Sequence, residues 1–484
     1  MTALSRLGKN SIIYGVGGAL SRFLGLLMLP FLTSVLSPKD YGIVALISLV
    51  SIIMSGVLTL GTGNSLVVLY YKEEELLKRP SIIWSNFSLL VINGIFWYAI
   101  VWLVAPSLSF LIFQTNEYQN LIRISFLGSV LTTVVDPWMA FLRLNEKAKK
   151  YLSLTLAAMF FNIVLSIYFV LILGWGIKGL LLAGTMSASI MVIVIWFFVG
   201  RKLKFHLNPK LFLPLVRIGF PSIFGLFAFF IIDYADRQMI ERILSLSDLG
   251  VFSVGYSFGL AMLVAVSAFG TAWPPFFISY VKKPNEAREV FGRVLTYYII
   301  AFGSLSVLFF FVAKPILILM TAPSFHDAWK IVGIVAAGYM FKGCYLILVP
   351  GVYFAEKLVY QSIIEWIAAI LNIGFNLWLI PLYGILGAAY ATFISYFSLP
   401  FLAWFVSRGY LKVDYEWFRV LSISIITSLT CVTLYQIYEY FSSDIFNTML
   451  YATTVFCAYL IITFRISLNK EERDIILNKI GFAK

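Results

Sequence analysis

Apolar runs of about twenty residues follow one another along almost the whole of this chain, and that succession limits what it can fold into. A helix rising about 1.5 Å per residue needs about 20 apolar residues to cross about 30 Å of hydrocarbon. Runs of that kind lie at 11 to 35, 41 to 69, 81 to 105, 119 to 142, 151 to 174, 179 to 200, 211 to 236, 249 to 279, 294 to 319, 331 to 355, 359 to 381, 386 to 407, 418 to 440 and 446 to 464. The expected fold class is all-α integral membrane, with about 14 transmembrane helices. Composition agrees: 61% of the 484 residues are hydrophobic and 12% are charged, where soluble domains average about 45–50% and about 25%. The loops left over are short, with no room for a soluble catalytic or receptor domain, so function has to sit within or between the helices. The first run carries Arg22 and has no small-residue cleavage site before a hydrophilic stretch, which makes it a retained helix rather than a secretory signal.

The net charge of +13 is spread in an alternating pattern. With the N-terminus inside, 26 of the 36 Lys and Arg fall in cytoplasmic segments or the helix edges beside them, and six fall on the outer side. That is the positive-inside asymmetry, and it predicts a multi-pass protein of the cell membrane with both termini cytoplasmic. Clusters such as Arg143, Lys147, Lys149 and Lys150, or Arg201, Lys202 and Lys204, therefore read as orientation signals, and no nucleic acid is expected as a partner. Cys344, Cys431 and Cys457 are far apart in predicted helices, and His206 and His326 fall in loops on opposite sides. Neither set has the spacing of a disulfide framework or a metal site.

One spacing recurs. Leu36-Ser37-Pro38-Lys39-Asp40-Tyr41-Gly42-Ile43 returns as Leu244-Ser245-Leu246-Ser247-Asp248-Leu249-Gly250-Val251. The same shift carries Trp175-Gly176-Ile177-Lys178-Gly179 onto Tyr383-Gly384-Ile385-Leu386-Gly387, and Ser187 onto Ser395. The repeating unit is then six helices. An even number returns the chain to its starting side, which predicts two parallel six-helix lobes, 1 to 208 and 209 to 416, related by a pseudo-two-fold axis along the membrane normal. Residues 417 to 484 add two helices and a tail. In such bundles substrate sits between the lobes and transport proceeds by rocking. The Gly-containing corners read as tight outer turns.

These segments resemble the polysaccharide and lipid-linked oligosaccharide flippases of the multidrug, oligosaccharidyl-lipid and polysaccharide exporter superfamily. The similarity is carried by Ser21-Arg22, Gly25, Leu29-Pro30, Leu36-Ser37-Pro38 and Tyr41-Gly42 in the first lobe. In the second it is carried by Gly219-Phe220-Pro221, Asp233, Asp236-Arg237, Leu249-Gly250-Val251, Tyr256 and Trp273-Pro274-Pro275. The resemblance implies a transporter, not an enzyme, that moves an undecaprenyl-pyrophosphate-linked oligosaccharide from the cytoplasmic to the outer leaflet. The polymer served would be O-antigen, capsule or exopolysaccharide, with a polysaccharide polymerase and assembly proteins as implied partners beside the membrane lipids.

Ionisable groups inside spans cost about 2.5–3.5 kcal/mol each on insertion scales, so those that face a cavity are functional candidates. Arg22 and Lys342 lie deepest, roughly 20 and 22 Å from the nearest loop charges counted at the helical rise. They are the candidate pyrophosphate ligands of a central cavity. The plain alternative pairs Arg22 with Asp136 and Lys342 with Glu365 within each lobe. Asp233, Asp236 and Arg237 form a candidate outer gate, with Asp233 and Arg237 spaced as an i, i+4 pair. Asp136, which precedes Pro137, and Glu365 are candidates for coupling to a Na+ or H+ gradient. Arg123 and Arg217 are close enough to a surface to snorkel. Trp84, Trp97, Trp196 and Trp404 read as belt or packing residues, with one or two of the aromatics expected to stack on sugar.

Two other functions compete. A multidrug or metabolite exporter of the same fold would expose carboxylates to cationic substrates, whereas deep cations favour a diphosphate. A membrane-embedded polysaccharide polymerase would need a large outer loop that the spacing does not leave.

Overall fold

The computed structural model describes residue 20 and residues 23–75, 77–441 and 445–467. Every regular element among them is helical. The helices are α1 (Leu29–Thr33), α2 (Pro38–Thr59), α3 (Thr62–Lys72), α4 (Arg79–Phe113), α5 (Gln119–Leu144), α6 (Ala148–Ser166), α7 (Gly176–Phe198), α8 (Phe212–Ile243) and α9 (Leu246–Gly259). They continue as α10 (Ala261–Ile278), α11 (Pro284–Met320), α12 (Trp329–Leu348), α13 (Pro350–Phe354), α14 (Val359–Tyr383), α15 (Ile385–Ser407), α16 (Trp417–Tyr440) and α17 (Ile445–Ser467). Among the described residues twelve stretches are long and apolar enough to cross a bilayer, against the fourteen expected. The twelve match twelve of the predicted runs. The seventh run is a continuous helix, α8, but is not counted among them, and most of the first lies outside the described residues, where only Phe23–Thr33 forms a short apolar helix.

The chain divides into two compact units, Met1–Gly250 and Val251–Lys484. In the first, α5 packs on α4 and α7, α6 on α7, and α3 on α8. Its core centres on Trp84, only 3% exposed, whose ring meets Trp138, Trp196, Phe87 and Phe205 edge-on at 4.8 to 5.7 Å. Trp84 is thus a packing residue, one of the two roles its position predicts. Four aromatic partners from α4, α5, α7 and the following loop bury it, and its apolar area contributes more there than at a headgroup. In the second unit, α12 is surrounded by α10, α11 and α15, and its span, Pro323–Phe354, is 78% buried. The terminal pair α16 and α17 packs on α11.

The repeated corners correspond residue by residue. Ser37 caps α2 by accepting from the Asp40 amide while the Asp40 carboxylate accepts from the Ser37 amide, a reciprocal capping box. Ser245 and Asp248 repeat the cap, with the Asp248 amide donating to Ser245 Oγ at 3.1 Å and Ser245 Oγ to the Asp248 carboxylate at 2.6 Å. Gly42 and Gly250, expected in turns, instead lie inside helices. A Cβ on Gly42 would stand 1.9 Å from the carbonyl oxygen of Leu246, and one on Gly250 would stand 1.8 Å from that of Pro38. Leu246 is the repeat partner of Pro38, so each corner rests its glycine on the other's first turn. The second repeated corner does need a turn: Gly176 and Gly384 open α7 and α15 at φ +51° and +61°, which favours glycine. Ser187 and Ser395 diverge, the first donating to Ala158 O on α6 and the second to Ala391 O on its own helix.

Candidate functional site

The first unit holds an open cavity of about 1060 Å³, lined by residues of α1, α2, α5, α6 and α7. Its walls are stripes of small polar side chains at helical spacing. Ser48, Ser51, Ser55 and Thr59 line it from α2, and Ser125, Ser129, Thr132 and Thr133 from α5. Asp136 extends the α5 stripe by one turn and is exposed into this space. Arg143, two turns farther on, lines the cavity and lies over the ring of Tyr151 at 5.5 Å. Among the described lining residues these are the two that carry charge. Pro137 sits inside α5, which continues unbroken to Leu144.

Lys342 projects from α12 in the second unit and is partly buried. Its ammonium donates to Tyr396 OH at 3.3 Å and lies 5.1 and 5.7 Å from the ring centroids of Tyr396 and Tyr339. Both tyrosines are fully buried, and Tyr339 OH shares a 2.7 Å hydrogen bond with Tyr256 OH. The result is an aromatic cage around one deep cation, an arrangement that lowers the cost of keeping the charge out of water. Glu365 on α14 is 5% exposed and accepts from Tyr345 OH at 2.9 Å and Gln361 Nε2 at 3.0 Å. Neutral donors therefore hydrogen-bond this carboxylate, and the opposite charge of Lys342 also acts on it. Arg22 lies outside the described residues, and with it the expected pairing to Asp136.

At the end of α8 the Arg237 guanidinium bonds the neighbouring Asp236 carboxylate at 3.1 Å and the backbone carbonyl of Asp233, and lies 4.5 Å from the Tyr234 ring centroid. Asp236 is fully buried, and its second carboxylate oxygen has no hydrogen-bond partner. The structure thus adds an adjacent ion pair to the i, i+4 spacing read from sequence. Arg123 is held at a helix end by Trp102 O at 3.0 and 3.1 Å and by Asn120, and Arg217 is exposed. No cluster of three His, Cys, Asp or Glu suited to a metal ion occurs among the described residues.

Sequence reasoning missed the hydroxyl stripes, although the signal was present as Ser48, Ser51, Ser55 and Thr59 at spacings of three, four and four. It also missed the buried amides Asn372 and Asn376, one turn apart on α14, where Asn376 Nδ2 donates to Asn372 Oδ1 at 2.9 Å.

Residues 31–330, more than half of the chain, match the family described as "Polysaccharide biosynthesis protein". An Lsg locus protein of Haemophilus influenzae is 24% identical over 290 residues, 57% of this chain and 67% of that protein. Among solved structures, the lipid II flippase MurJ in an inward closed conformation superposes with a TM-score of 0.73 at 16% identity, covering 94% of this chain and 99% of that one. An inward-facing multidrug resistance MATE family transporter of the MOP superfamily superposes with a TM-score of 0.66 at 15% identity, covering 84% and 99%. The chain therefore belongs to the polysaccharide biosynthesis protein family, a multi-pass membrane protein with the fold seen in the lipid II flippase and MATE transporter structures.

Proposed function

We propose that the protein is a flippase that carries an undecaprenyl-pyrophosphate-linked oligosaccharide from the cytoplasmic to the outer leaflet for assembly of a surface polysaccharide. The observation that carries this reading is Lys342, a deep cation caged by Tyr339 and Tyr396 on the most buried span. A diphosphate shed of water needs ionised donors, and Lys342 supplies a compact one, with Arg22 as its proposed counterpart in the first lobe. Asp233, Asp236 and Arg237 act as an outer gate, and Asp136 and Glu365 are the proposed points of coupling to a Na+ or H+ gradient. Transport follows alternating access by the two six-helix lobes, 1 to 208 and 209 to 416, with fourteen spans and both termini cytoplasmic.

Proteoliposomes provide the direct test. The purified chain should move a fluorescent undecaprenyl-pyrophosphate-linked trisaccharide between leaflets, and its deletion in cells should leave lipid-linked oligosaccharide accumulating on the cytoplasmic side. The exposed carboxylate of Asp136 favours a second reading, export of cationic drugs. Ethidium efflux by the same proteoliposomes, with no movement of the trisaccharide lipid, would establish that reading instead.

Topology has its own check. In a cysteine-free background, cysteines placed at His206 and Asn116, which lie in loops separated by three predicted spans, should react with a membrane-impermeant maleimide from opposite sides. Asn116 should label in intact cells and His206 only after permeabilisation. Labelling of both from one side would overturn the assignment.

A further inference from the structure

The hydroxyls around the cavity of the first unit are committed in one direction. Thr132 Oγ1 donates to Gly128 O at 2.9 Å, Thr133 Oγ1 to Ser129 O at 2.9 Å, and Ser129 Oγ to Ser125 O at 3.1 Å. On the facing helices Thr155 Oγ1 donates to Tyr151 O at 3.0 Å and Ser55 Oγ to Ile52 O at 2.7 Å. A hydroxyl whose proton is bound to its own helix presents only lone pairs to the space beside it. Along α2 and α5 the wall is therefore a surface of acceptors running to the Asp136 carboxylate, and the cation among the described lining residues, Arg143, lies two turns beyond it over the Tyr151 ring.

One side chain points to a missing partner. Ser166 lines this cavity, is 2% exposed, and its Oγ has no hydrogen-bond partner. It stands where α6 gives way to a π-helical stretch, Ile167–Ile172, in which the Leu173 amide reaches back to Tyr168 O at 2.9 Å. Such widened turns recur at functional sites. Asn162, one turn before Ser166, is exposed and lines the same space.

These features select among the parts of a lipid-linked oligosaccharide. The diphosphate carries acceptors only and would be repelled along this stretch, where it meets acceptors and a carboxylate, which leaves it the cationic Arg143 end of the lining. The prenyl chain would strand the hydroxyl lining without water. A sugar brings many hydroxyl donors together with acceptors for Asn162 and Ser166, and the volume of about 1060 Å³ is at the upper end of ligand sites, which run about 300–1,000 Å³. We propose that the hydroxyl-lined wall of this cavity is the glycan site of the transporter, holding the neutral sugar part of the substrate while the diphosphate binds at cations off that wall. This rests on the flippase reading and deepens it.

The test compares two probes on the full chain in nanodiscs. One is the mixture of lipid-linked oligosaccharides extracted from membranes of the strain that makes the protein, and the other is glycan-free undecaprenyl pyrophosphate. Thr132→Val and Asn162→Leu remove polar groups that are exposed in the cavity. Each hydrogen bond lost should weaken binding of the extracted lipids about three- to tenfold, and the double variant by more, with affinity for undecaprenyl pyrophosphate unchanged. Ser55→Ala, on a different helix, should show the same selective loss and guards against misfolding of the other variants. Equal weakening of both probes, or of neither, would overturn the proposal. So would variants that bind both probes normally but change the dependence of transport on a Na+ or proton gradient, since the cavity would then hold a cation. If the unaltered chain binds neither probe, the flippase reading itself fails.

Discussion

Gly250→Ala should lower the stability of the purified chain by about 3 kcal/mol, the upper range for forcing extra volume into a packed interior. The added Cβ would fall 1.8 Å from the Pro38 carbonyl oxygen, and backbone on a capped first turn cannot rotate away as a side chain can. Gly42→Ala, facing the Leu246 carbonyl at 1.9 Å, should behave alike, because the two contacts are reciprocal. Gly374 supplies the control. It lies within α14, a Cβ there meets nothing within 4 Å, and alanine should be neutral or stabilising by about 0.5–1 kcal/mol. Thermal unfolding in detergent reads all three. Should Gly250→Ala unfold at the same temperature as Gly374→Ala, the reciprocal corner contact is not part of the folded state.

The two glycines also mark where sequence reading stopped. Their recurrence was visible as residue identity, and so was the Ser-x-x-Asp cap that starts both helices, since capping is local. Their purpose was not, because it depends on contact between segments more than two hundred positions apart, and a glycine in a corner reads first as a turn. Gly176 and Gly384 do make turns, which shows that the same inference holds where the need is local. The spans were legible for the same reason: each is a property of about twenty consecutive residues. The cavity was hidden because a search for apolar runs passes over Ser and Thr. The stripes on α2, α5 and α6 converge only once the helices are packed. Asp136 stood out in the sequence as a charge, yet the neutral residues around it give that charge its setting.

Lys342→Met should slow flipping of the trisaccharide lipid by about tenfold or more while leaving the protein as abundant and as stable as before. Methionine keeps the length and the apolar stem of lysine, so the rings of Tyr339 and Tyr396 retain a side chain to pack against, and what is lost is the ammonium. A hydrogen bond to a charged group is worth about 1.5–3 kcal/mol, so losing one to a diphosphate should cut the rate by about ten- to a hundredfold, and more if the transition between states depends on it. Lys342→Arg should recover part of the activity, because the guanidinium keeps the charge and stacks on tyrosine, but its planar fork does not reproduce the point charge. Opposite results follow if the ammonium only orders the cage. Then Tyr396→Phe, which removes the 3.3 Å acceptor, and Lys342→Met should destabilise the protein to similar degrees, and the residual flipping should track the amount of folded chain. Glu365→Gln separates the readings further. Its carboxylate is held by Tyr345 and Gln361, and an amide can accept from one of them, so the fold should survive. A Glu365→Gln protein that flips normally with and without an ion gradient would remove Glu365 from coupling while leaving Lys342 as the anchor for the diphosphate.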